Sequence, residues 1–126
     1  MKLHQMSAVF FGGIAGATAR WGLLEILPAV DQWPWHILLI NISGSAALGI
    51  VVGLSSRATR KMLFLAVGTG FCGAFTTFSS FAVDIALFLK GEQYFNSVSL
   101  LAASIVGGLL VFQISKRSTK SRNVIL

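Results

Sequence analysis

Charge is scarce in this chain. Of 126 residues only 10 are Lys or Arg and 4 are Asp or Glu, or 11 %, against about 25 % in a soluble domain. A single cysteine, Cys72, has no internal partner, which excludes a disulfide-stapled secreted fold. There is no phosphate-binding glycine loop followed by Lys and Ser or Thr, so the chain encodes no visible energy source. Nor is a nucleophile–base pair evident: His4 is terminal and His36 sits at the edge of an apolar run, which argues against an enzyme. What is abundant is apolar: 55 % hydrophobic residues, 13 glycines and a mean hydropathy of +0.79. That composition excludes disorder and a soluble globule. The net charge of +6 does not mark a nucleic-acid binder, because the basic residues Arg57, Arg60, Lys61 and Lys116 to Arg122 bracket apolar runs. The pattern is that of a membrane protein.

A spanning helix needs roughly 20 mainly apolar residues to cross a layer about 30 Å thick. Gln32 to Ser56, Met62 to Val83 and Gln93 to Ser115 hold no charge at all. A fourth run, Ser7 to about Leu27, is interrupted only by Arg20 and Glu25; Arg20 and the recurring glycines fit a signal peptide poorly. The fold class expected is therefore all-α, one domain over residues 1–126, with spans near 7–27, 35–55, 62–89 and 95–115. Pro28, Asp31 and Pro34 end the first helix near Leu27, and Trp21, Trp33 and Trp35 suit the headgroup level. With four spans, Lys2, Arg57, Arg60, Lys61, Lys116, Arg117, Lys120 and Arg122 share one side, and Lys90 stands alone on the other. Eight against one places both termini in the cytoplasm.

Small residues recur at four-residue spacing: Gly12 and Gly16, Ser45 and Gly49, Gly49 and Gly53. Such pairs let helix backbones approach closely in lipid. A bundle of four close-packed helices cannot enclose a wide aqueous pore, so any conduit is narrow or lies in an oligomer.

The third span is unusual. Gly68, Gly70 and Gly73 are followed by hydroxyls at Thr76, Thr77, Ser79 and Ser80 near its middle. Two readings are open: a helix broken near Gly73 to Thr77, with carbonyls freed for a hard cation such as Na⁺, or an unbroken helix whose hydroxyls bond back to the preceding turn. Phe78 and Phe81 share a helix face, and Thr77, Ser80 and Asp84 form a neighbouring polar stripe. Ring edges are electropositive and hydroxyls donate, so together they offer an anion partners without a fixed cation. Ordinary packing also accounts for the phenylalanines. Asn41 lies in the middle of the apolar run Ile37 to Val52, where its amide either joins helices or donates to an anion. Arg20, inside the first span, is either a functional cation or one snorkelling to the interface.

Three stretches, Gly12-Gly-x-x-Gly-Ala-x-Ala-Arg20, Trp33-Pro-Trp-x-x-x-x-x-Asn41-x-x-Gly44 and Gly73-Ala-Phe-Thr-Thr-Phe-Ser-Ser-Phe81, together resemble the signatures of the Fluc/CrcB fluoride channels, in order and over all four spans. The resemblance implies a passive, fluoride-selective channel in the bacterial inner membrane that exports fluoride and so relieves its toxicity. It implies an antiparallel dimer with two narrow pores, formed by two copies or by this chain and a close paralogue. By position, Asn41 would donate to fluoride and Phe78 and Phe81 would contact it with their ring edges. Thr77, Ser80 and Ser104 would belong to the polar track, and Arg20 and Asp84 to the vestibules, Asp84 standing where relatives carry Glu. Gly73 and Thr76 would offer backbone carbonyls to a structural Na⁺ at the dimer centre. Two positions depart from the pattern. His36-Ile37 stands where relatives usually have Gly-Thr, and Gly108 where some have a second serine.

The rival readings are a small-molecule/proton antiporter and a structural subunit of a membrane complex. An antiporter needs a carboxylate near the bilayer midplane, whereas Glu25 and Asp84 lie toward span ends. A structural subunit leaves Asn41 and the hydroxyl stripe without a purpose.

Overall fold

A computed structural model of the chain describes residues 2–27, 33–54 and 61–122. Pro28 and Asp31 of the first connection, and Arg57 and Arg60 of the second, lie outside the described residues. Helices account for nearly all the rest. α1 runs over Leu3–Ile26 and α2 over Trp35–Leu54. α3 covers residues 61–75, of which Phe64–Cys72 is wound as a π-helix. α4 covers Phe78–Lys90, and α5 covers residues 94–122, with a shorter π-helical insert at Ala103–Gly107. Among the described residues, three stretches are long and apolar enough to cross a membrane: Trp35–Leu54, Lys61–Lys90 and Tyr94–Lys120. With many large apolar side chains turned outward, among them Phe10, Phe11, Trp21, Phe95 and Ile114, this is a multi-pass membrane protein.

The small residues position the helices. α1 lies along the π-helical part of α3, and α2 along the C-terminal half of α5. A Cβ on Gly12 would strike the Ala66 carbonyl, and one on Gly16 the Phe71 carbonyl. In the second crossing, a Cβ on Gly53 would come within 2.8 Å of the Lys116 carbonyl. Backbone therefore meets backbone at both crossings, the packing that gives dispersion contact where lipid supplies no hydrophobic drive.

The third rod is broken rather than continuous. Thr76 (φ −74°, ψ 156°) and Thr77 (φ −137°, ψ 118°) are extended, so α3 stops at Phe75 and α4 begins at Phe78. Thr77 caps α4: its Oγ1 accepts from the Ser80 N–H at 3.2 Å, supplying a partner to one of the first-turn donors that no helix satisfies internally. α4 then turns tightly into α5 through Gly91 and Glu92. Glu92 has a φ of 57°, and the Gln93 N–H closes the turn on the Phe88 carbonyl at 2.8 Å. At the same end, Trp33 Nε1 donates to Ser99 Oγ at 3.1 Å, and the Trp33 and Trp35 rings lie 4.4 Å apart.

Candidate functional site: a groove at the helix break

The break is held open from the side by Asn41. The Thr77 N–H, which in a continuous helix would serve the Gly73 carbonyl, instead donates to Asn41 Oδ1 at 2.8 Å. Asn41 Nδ2 in turn donates to the Thr77 carbonyl at 3.0 Å. One amide thus satisfies both backbone groups of an extended residue in an apolar setting, where leaving them bare costs several kcal/mol. An amide nitrogen carries two N–H donors, so one Nδ2 hydrogen remains beyond this pairing. Between the two sequence readings of Asn41, the joining of helices is therefore observed directly.

A second brace comes from Arg20, whose Nη1 donates to the Thr76 carbonyl at 3.2 Å. Its guanidinium is thereby engaged with the break through backbone and does not line the groove beside it. The Thr76 hydroxyl bonds back to the Cys72 carbonyl at 2.9 Å. Both alternatives for the third span are thus partly realised: the helix is broken, and one hydroxyl of the run still bonds back to the preceding turn.

Around this break lies an open groove of about 490 Å³. Asn41, Thr77, Phe78, Phe81 and Ser104, drawn from α2, the break, α4 and α5, all line it, together with Gly73 and Thr76. Phe78 is 80 % exposed, and its ring centroid lies 5.9 Å from that of Phe81 at a tilt of 41°. Thr77 is buried and its hydroxyl donates to Ser80 Oγ at 3.1 Å. Ser80 is set behind Thr77 rather than on the groove wall. Ser104 Oγ is buried without a hydrogen-bond partner, a donor left free on the wall. Asp84 stands off the groove, farther along α4, and its Oδ2 is likewise buried without a partner. Gly44 allows α2 to reach the break, because a Cβ there would strike the Thr76 methyl.

Residues 7–115 of the chain, which include every residue named on the groove wall, match the family profile described as CrcB-like protein, Camphor Resistance (CrcB). The chain belongs to the CrcB family. Among its relatives, the protein named fluoride-specific ion channel FluC in Haemophilus ducreyi is 36 % identical over 110 residues, covering 86 % of each chain. Fluoride-specific ion channel FluC 2 of Bacillus subtilis is 41 % identical over 113 residues, 87 % of this chain and 82 % of its own. The Streptococcus pneumoniae R6 protein of the same name is 40 % identical over 105 residues, 82 % and 85 %.

Within this CrcB chain the groove also holds Ser45 and Cys72, which the sequence reading left out of the site. Ser45 follows Asn41 by one helical turn, a spacing that puts both on one face; its Oγ donates to the Asn41 carbonyl at 2.9 Å. It also faces Gly108: a Cβ on Gly108 would lie 3.4 Å from Ser45 Oγ. The hydroxyl missing from α5 at this position is thus met by one on α2. At the other departure, Ile37 is buried in the core, and His36 Nδ1 is buried without a partner.

Proposed function

We propose that this CrcB chain forms a passive channel that carries fluoride out of the cell, and that two copies packed antiparallel in the inner membrane make the working unit. The observation that carries the reading is the convergence of Asn41, Phe78, Phe81 and Ser104 on one groove at a broken helix. The names of the relatives agree with it.

Fluoride is small and strongly hydrated, so a path must replace its water partners. The remaining Nδ2 hydrogen of Asn41 and the free Ser104 hydroxyl are donors without charge, and the rims of Phe78 and Phe81 add weak electropositive contacts. α4 starts at Phe78, so its positive N-terminal end faces the same space. Among the described residues, no lysine or arginine lines the groove. Binding therefore stays weak enough to permit release, which conduction requires. An inside-negative potential drives the anion outward by about 2.3 kcal/mol per 100 mV, so no other energy source is needed.

The groove is open along one side, with Phe78 bare and Gly73 exposed. A second copy laid across it completes the wall and removes the aromatic surface from lipid. α1, with 24 residues and a length of about 36 Å, supplies the fourth span. The Gly73 carbonyl has lost the Thr77 N–H, and a Cβ at Gly73 would meet nothing within 4 Å. The Thr76 carbonyl keeps a lone pair beside the Arg20 bond. Two such oxygens from each copy fit a hard monovalent cation such as Na⁺ at the dimer centre, where it would tie the copies together. Replacing Na⁺ by choline should then lower the melting temperature of the purified dimer.

The decisive measurement is fluoride efflux from liposomes holding the purified protein, followed by electrode under a K⁺ gradient with valinomycin. Rapid fluoride loss, absent for chloride and indifferent to a proton gradient, is expected. No efflux leaves only a structural role, and collapse with the proton gradient indicates exchange.

A further inference from the structure

α2 and α5 meet in a steady register beyond the helix break. A Cβ on Gly108 would lie 3.4 Å from Ser45 Oγ, and one on Gly49 or Gly53 would meet the Phe112 or Lys116 carbonyl. Each of these pairs stands one turn further along both helices. One turn back in the same register stand Asn41 and Ser104, both on the groove wall. Their level is thus followed by one at which α5 brings the bare backbone of Gly108 and α2 brings a hydroxyl. Beyond that the groove closes. The two backbones touch at Gly49, and a Cβ on Gly68 would sit 3.5 Å from Leu48 Cδ1.

We propose that Ser45 is a further anion-binding residue of this groove. Its hydroxyl receives fluoride from the level of Asn41 and Ser104 on the side toward Lys61 and Lys116. Among the described residues, four hydroxyls line the wall, those of Ser45, Thr76, Thr77 and Ser104. Thr77 is committed to Ser80 Oγ at 3.1 Å. Thr76 bonds to the Cys72 carbonyl at 2.9 Å, and its methyl is lodged where α2 passes at Gly44, so it is pinned. Ser104 Oγ is without a partner. Ser45 stands between these cases. It donates to the Asn41 carbonyl at 2.9 Å, but that carbonyl lies inside α2, where the Ser45 N–H is its helical partner. Swinging the hydroxyl away therefore strands no buried acceptor, and such back-bonds add little to a helix.

The space for that swing is the slot that Gly108 leaves without a side chain. An uncharged O–H replaces one water of a dehydrated anion and still lets it go. The rest of the wall at this end is Leu48, Gly68 and Cys72, of which the thiol is a weak donor. Without Ser45 the ion would cross this stretch with no strong partner in place of its water.

The inference rests on the fluoride-channel reading, and the experiment keeps the two apart. Fluoride efflux from liposomes and thermal melting are measured for the wild type, Ser45→Ala, Ser45→Cys, and Ser45→Ala combined with Gly108→Ser. Ser45→Ala should slow efflux about tenfold, the order of one hydrogen bond to an ion, and melt as the wild type does. Adding Gly108→Ser should restore most of the rate, because the new hydroxyl enters the same slot from α5. Ser45→Cys, near in size but a weak donor, should stay slow. Wild-type efflux from Ser45→Ala or Ser45→Cys overturns the assignment and leaves the channel standing. A slow Ser45→Ala that also melts lower does the same, since it marks Ser45 as packing, and so does a folded double variant that stays slow. Should the double variant fail to assemble, Ser45→Ala and Ser45→Cys decide the matter between them. Absence of efflux from the wild type overturns the channel itself.

Discussion

Asn41 and Phe78 line the same groove but are held very differently, and their substitutions should separate accordingly. Asn41→Asp keeps an acceptor for the Thr77 N–H but loses the donor to the Thr77 carbonyl and sets a carboxylate against it. The expected result is a loss of about 1–3 kcal/mol in stability together with more than tenfold slower flux, since about 1.4 kcal/mol of added barrier suffices for each factor of ten. Phe78→Ile removes a ring whose one aromatic neighbour among the described residues is Phe81, 5.9 Å away, from a side chain 80 % exposed in one chain. Its flux should fall as sharply while the stability of the detergent-solubilised chain moves by less than ~0.5 kcal/mol. Thermal unfolding beside liposome efflux checks both. A large melting shift for Phe78→Ile would show that the ring holds the fold together.

Among the elements, the turn between α4 and α5 and the crossings of α1 and α2 carry the clearest consequences. Glu92 adopts a φ of 57°, a region costly for any residue with a Cβ. Glu92→Gly should therefore raise stability by up to about 1 kcal/mol and leave flux unchanged, as read by thermal melting and efflux. Gly16→Leu does the opposite, because its Cβ already meets the Phe71 carbonyl. Separating α1 from α3 in this way should cost about 1–3 kcal/mol or more, and it withdraws Arg20 from the Thr76 carbonyl. Flux should fall even though residue 16 is not on the groove. Wild-type stability in Gly16→Leu would mean that this crossing loosens without cost.

For the whole molecule the open question is orientation. A groove bare on one side favours two copies opposed across it, whereas the eight-to-one division of basic residues that four spans would give favours a single insertion direction. In a Cys72→Ser background, Lys120→Cys should react with an impermeant thiol reagent from both faces of the membrane when identical copies oppose each other. Labelling from one face alone would assign the other half of the channel to a paralogue of opposite orientation.

Much of this molecule is legible in its composition. Scarce charge and long apolar runs dictate helices in a membrane, because unpaired backbone groups have no water there. The small residues at 12 and 16, and at 49 and 53, announce close crossings, since only they let backbones touch. Glycines and hydroxyls at 68–80 point to a weakened helix. Local pattern cannot state where that helix breaks, because the break depends on a partner 36 residues away: the Asn41 amide can replace the helical bonds of Thr77 only once α2 is laid beside it. The same holds for Arg20 on Thr76 and for Ser45 opposite Gly108. Each of these joins residues distant along the chain, and only the packing of the rods brings them within reach.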